Sequence, residues 1–139
     1  MINLVVTFPA QNEYIVMTRN LFQSAILIPN ELEKKKILFA INEAIINAVT
    51  EMKKIRDQHH PGTMTIELYV NDEEVKIHII NPYSRLSEKQ KKEIVNKTFF
   101  DVGLDERGRG FLFIKGFMDE VWFDITEHGE FLVGMSKKL

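Results

Sequence analysis

An α+β fold, with one mostly antiparallel sheet and helices over one face in a two-layer sandwich, is predicted by three features of this 139-residue chain. Short runs rich in β-branched residues occur as adjacent pairs joined by tight turns. Two segments with helical apolar stripes separate the first strand from those pairs. Apolar residues at 45% and charged residues at 27% are the composition of a globular core with a solvated exterior.

Each element has its own local reason. "INLVVTFP" is β-branched and stops at Pro9, which predicts a strand over 2–8. Between Gln11 and Ile28, the positions Ile15, Thr18, Leu21, Phe22, Ala25 and Ile26 share one helical face. Pro29 and Asn30 end that helix, and Asn30 followed by Glu33 predicts a capping box for the next, from about Glu31 to Asp57. "TMTIELYV" and "EVKIHIIN" flank "NDEE" as an antiparallel pair. "LSEKQKKEIVNK" reads as a short charged helix, "TFFDVGLDERGRG" as a loop, and "FLFIKGFMD" as a helix entered through glycines. "EVWFDIT" and "EFLVGMSKKL" bracket "EHG" as a second hairpin, with Trp122 and Phe123 on opposite faces. Without an internal repeat or linker, residues 1–139 are expected to form a single domain.

Composition also narrows function. A net charge of −2 argues against a nucleic-acid surface. The absence of cysteine excludes disulfides, thiolate metal sites and cysteine nucleophiles. Neither a signal-peptide pattern nor a long apolar run is present, so a cytoplasmic protein with no membrane contact is expected.

The long helix raises a sharper question. Ile37, Leu38, Ile41, Ile45, Ala48, Val49, Met52 and Ile55 fall on one side at 100° per residue and must pack on the sheet. Glu43 and Asn47 lie roughly opposite, yet their neighbours include Phe39, Ala40 and Ile46. An acid and an amide one turn apart among apolar residues suggest the rim of a cleft. There a carboxylate could take a proton and an amide oxygen could ligate a hard cation such as Mg²⁺. Downstream, Arg107, Gly108, Arg109 and Gly110 directly precede an apolar helix, an arrangement suited to an anion such as phosphate. It is not a Walker motif, because no G-K-[ST] follows. The paired histidines His59 and His60 beside Pro61 read best as a helix C-terminal cap.

The order of these parts resembles the gyrase/Hsp90/histidine-kinase/MutL (GHKL) ATPase superfamily, and within it the small anti-sigma-factor serine/threonine kinases. "FAINEAIINAV" and "GRGFLFIKGFMDEV" carry the resemblance, which covers nearly the whole chain. It implies the Bergerat-type ATP-binding fold, with ATP as substrate and Mg²⁺ as cofactor. Glu43 would orient or deprotonate the substrate hydroxyl, and Asn47 would hold Mg²⁺. Residues 108–110 would wrap the phosphates beneath a lid over 98–107. The partners implied are a small antagonist protein, a sigma factor and a second copy of the chain.

Two places depart from that pattern. Where the superfamily has D-x-G-x-G, this chain reads "NPYSR", so Asn81 would stand in for the aspartate that accepts from the adenine amine. A late threonine expected after the glycine of the last hairpin appears as Glu130. The resemblance therefore implies either a Mg-ATP-dependent kinase or a non-catalytic binding module that keeps the fold with a degenerate nucleotide site.

Overall fold

The structure is a computed structural model that describes residues 1–55, 62–81, 89 and 114–139. Five strands form one antiparallel sheet: β1 (Ile2–Pro9), β2 (Thr63–Val70), β3 (Glu74–Asn81), β4 (Glu120–Ile125) and β5 (Phe131–Lys138), in spatial order β1-β2-β3-β5-β4. Helices α1 (Glu13–Ala25) and α2 (Glu31–Ile55) precede β2, and residues 114–117 are helical just before β4. The predicted α+β class, the strand pairs and both long helices are all present. Apart from Lys89, which is helical, the expected charged helix at 86–97 and the loop at 98–110 lie outside the described residues, as does the His59–His60 pair.

Local signals in the sequence set the boundaries. Asn30 Oδ1 accepts the Glu33 backbone N–H at 3.1 Å, so the predicted N-terminal cap of α2 is made. Asn71 Oδ1 accepts from the N–H groups of Glu73 and Glu74, both at 2.8 Å, which folds the β2–β3 turn around one side chain. In the second hairpin, Gly129 adopts φ 78°, a conformation that side chains resist, and its N–H donates to Thr126 O.

The sheet is two-sided by strict alternation. On β3, Val75, Ile77, Ile79 and Asn81 are buried while Glu74, Lys76, His78 and Ile80 are only half-buried. Val75, Ile77 and Ile79, with Met64, Ile66 and Leu68 of β2, meet Ile37, Ile41, Ile45, Val49 and Met52 of α2 in one core. Phe22 and Ile26 from the α1 end and Ile114 and Met118 join that same core. Phe123 is buried there and Trp122 stands on the other face, as the alternation of β4 predicts. Among the described residues, no helix is long and apolar enough to cross a membrane.

Candidate functional site

Where α2 lies across β3 and β5, the core does not close completely. A small cleft of ≈ 80 Å³, partly open to solvent, is lined by Ala44, Asn47, Ala48 and Glu51 of α2, Ile79 and Asn81 of β3, and Phe131 and Val133 of β5. Its lining has the character of small-molecule sites, whose walls are mostly apolar with a few placed polar groups. Here the five apolar residues form the walls, and two amides and one carboxylate supply the chemistry.

The amides come from different elements. Asn47 reaches the cleft because it follows Ala44 by three residues on one helical face, and small alanines on either side leave room beside it. Asn81 continues the inward-facing line of β3 and is 5% exposed, a buried polar end to an otherwise apolar row. Asn47 and Asn81, singled out separately in the sequence, thus belong to one cavity.

Asn47 Nδ2 is buried and has no hydrogen-bond partner among the described residues, as is true of Asn42 Oδ1. An unsatisfied buried amide costs on the order of 1–3 kcal/mol, so its presence on a cavity wall points to a ligand that completes it. Turning the amide about its last bond exchanges oxygen for nitrogen, so the same position can present an oxygen to a cation or an N–H to a phosphate. The donor set of amide and carboxylate oxygens is hard, which fits Mg²⁺ and not a thiolate-seeking metal. No group of three or more His, Asp and Glu residues forms a protein-only metal cluster among the described residues.

Glu43 is half-buried one turn before Asn47, and it does not line the described part of the cleft. Its surroundings are not a plainly solvated face, since Ala40 is fully buried and Ile46 half-buried. Phe39, although 42% exposed, meets Phe117 edge-on with ring centroids 5.6 Å apart. Arg107, Gly108, Arg109 and Gly110 lie outside the described residues.

Glu130 is not among the residues that line the described cleft. Its backbone N–H donates to Thr126 Oγ1 at 3.1 Å, and Thr126 Oγ1 donates to Glu130 Oε1 at 3.3 Å, which turns the carboxylate into the hairpin. Phe131, the next residue, faces the cleft instead. Its ring stacks on Phe123 at 5.9 Å between centroids and 16° between planes, so the aromatic wall has a fixed orientation. Glu51 and Phe131 were not anticipated. The signals available were the repetition of Glu43, Asn47 and Glu51 at four-residue spacing, and the two-residue alternation of β5.

Comparison with known proteins bears on the family and the fold. The sequence profile of the histidine kinase-like ATPase domain matches residues 8–137. No curated protein matches the chain. The fold is similar to that in a crystal structure of RsbU and RsbW domains from Mycobacterium tuberculosis, with TM-score 0.67 and 14% identity. That alignment covers 100% of this chain and 32% of the other, so the chain spans about a third of that protein. It is also similar to a chain in the crystal structure of the SiaB–SiaC complex from Pseudomonas aeruginosa, with TM-score 0.60 and 13% identity. There 98% of this chain and 89% of the other are covered. The chain belongs to the histidine kinase-like ATPase domain family.

Proposed function

We propose that this histidine kinase-like ATPase domain binds a magnesium–nucleotide complex in the α2–β3–β5 cleft and phosphorylates a serine or threonine of a small partner protein. The observation that carries the reading is the buried, unpartnered Nδ2 of Asn47 on the wall of a cleft that also holds Asn81. In a member of an ATPase domain family, a nucleotide is the ligand whose chemistry suits both amides. Asn47 ligates the cation, and Asn81 offers an amide to the edge of the base. Mg²⁺, when bound, neutralises phosphate charge. Glu43 accepts the proton of the substrate hydroxyl, and residues 107–110 hold the phosphates. Phosphoryl transfer asks little of the protein beyond positioning and electrostatics, so this small set of groups suffices.

The fold likeness to an RsbW domain and to a chain of the SiaB–SiaC complex supports a partner-switching role, in which a cytoplasmic homodimer acts on an antagonist-like protein and sequesters a sigma factor. A second reading is a binding module that retains the fold without catalysis. It is favoured by the neutral Asn81 and the "NPYSR" segment that it opens.

Calorimetric titration with ATP and Mg²⁺, followed by phosphoryl transfer with Glu43→Gln, separates these. The kinase reading expects transfer to fall by ~10²–10⁴-fold in Glu43→Gln with nucleotide affinity nearly unchanged. Equal transfer by variant and wild type would remove Glu43 from the mechanism. Nucleotide binding without any transfer by the wild type would favour the module.

A further inference from the structure

Among the described residues, β1 pairs with β2 on one side and with no strand on the other. We propose that this outer edge is an interface for a second copy of the chain, with β1 pairing antiparallel to its own copy about a two-fold axis at Val5. The proposal rests on the homodimer of the reading above and adds the surface that makes it.

The ladder shows which groups the edge offers. Ala10 N–H donates to Gly62 O at 3.0 Å, and Pro9 stands opposite Thr63. Bonded pairs alternate along an antiparallel ladder, so the even-numbered residues of β1 bond to β2. Asn3, Val5 and Thr7 therefore turn their N–H and C=O groups outwards. Pro9 belongs to the same outward set, where its missing N–H costs no bond to β2. Pairing about Val5 sets Val5 against its own copy and Asn3 against Thr7 of the partner subunit. All three outward residues find partners in this register, and Pro9 lies just beyond the last of them.

The side chains of β1 are left uncovered in a way that such pairing would mend. Val5 is 58% exposed on the open face. Towards the helices, Leu4 and Val6 stay half-buried, although Leu68 and Ile66 directly opposite on β2 are fully buried. One strand thus leaves apolar surface on both faces of the sheet, and a second β1 laid alongside covers both together.

Charge selects a copy of the same chain as the occupant. A two-fold axis sets each residue near its own copy, so a charged strand would meet like charge there. The sequence of β1, "INLVVTFP", has no charged residue. The opposite outer strand, β4, carries Glu120 and Asp124, the kind of guard that keeps an edge single.

The test is sedimentation of the full chain over a range of concentrations, with each variant checked by thermal melting. Wild type should be dimeric, and Val5→Lys should raise the dimer dissociation constant at least about tenfold by placing two ammonium groups together. Mixing Val5→Lys with Val5→Glu should restore association, which a folding defect would not do. A second readout holds even where Val5→Lys fails to fold. In a chain without cysteine, Val5→Cys should form a disulfide-linked dimer under mild oxidation, and Leu27→Cys, exposed between α1 and α2, should not. If wild type dimerises while Val5→Lys does so equally, or if Leu27→Cys links as readily as Val5→Cys, the edge assignment falls and the homodimer stands. If wild type is monomeric at every concentration, the homodimer falls and takes this proposal with it.

Discussion

The two faces of the sheet treat polar residues in opposite ways. On the covered face, polar side chains are rare, and Asn81 marks the edge of the cleft. On the open face, the polar groups satisfy one another. Glu67, His78 and Gly134 are paired across three strands, and Trp122 pairs with Gly134 on the fourth. His78 Nδ1 donates to Glu67 Oε1 at 3.2 Å, and the imidazole meets Trp122 edge-on at 5.8 Å and Tyr69 at 6.0 Å. Trp122 lies on Gly134, where a Cβ would overlap indole atoms Cε2 and Nε1. A polar residue facing the helices therefore signals a ligand, whereas a polar residue facing away here signals a packed ladder. Sequence alternation identifies the faces, but only the partners distinguish the two meanings.

The contrast can be broken most forcefully from the covered side. Ile77 is fully buried, and Ile77→Ala should cost ~2–5 kcal/mol in denaturant unfolding. A loss below 1 kcal/mol would mean that α2 does not press on β3 as described. Next comes the open face, where Gly134→Ala must displace the indole and should cost ~1–3 kcal/mol. In a Trp122→Ala background most of that cost should vanish, and an unchanged cost would show that backbone freedom and not the indole selects glycine.

The smallest effect belongs to the sheet margin. Asp119 Oδ2 accepts the Lys138 backbone N–H at 2.6 Å, and Lys137 Nζ is 3.4 Å from Oδ1. The Lys138 N–H first, then the Lys137 ammonium, hold the Asp119 carboxyl below the ordinary aspartate value, against a modest opposing effect of burial. Because the folded value is lowered, the stabilisation is present above the ordinary value of about 3.9 and is lost as pH falls through the lowered one. Asp119→Asn should therefore be slightly less stable than wild type at neutral pH, with the gap closing in acid. A gap that persists at the lowest pH would assign the effect to geometry instead of charge.

Much of the fold was legible because its signals are local. The Asn30 cap, the Asn71 turn and the alternation of β2 and β3 each depend on residues a few positions apart. The site was legible only in part. Asn47 could be suspected because an amide among apolar neighbours is anomalous on a helix. Phe131 was hidden because a shift of one residue reverses the face of a strand, and the register of β5 is set where Thr126 and Glu130 close the turn. Glu51 was hidden because an acid near the end of a helix with Lys53 close by resembles ordinary surface charge. Nothing in the sequence states that its turn of α2 faces Asn81.

The pairing of β3 with β5 has a further consequence. It joins the two hairpins, bringing Asn81 opposite Phe131 from far apart in the chain, and the cleft has one wall on each. Each hairpin can close by itself in microseconds, but the binding pocket exists only once the long-range junction and α2 have come together. No smaller cooperative unit contains the pocket. Any ligand seated there is therefore coupled to unfolding of the whole sheet, and its occupancy would be read as a rise in melting temperature that grows with the logarithm of ligand concentration.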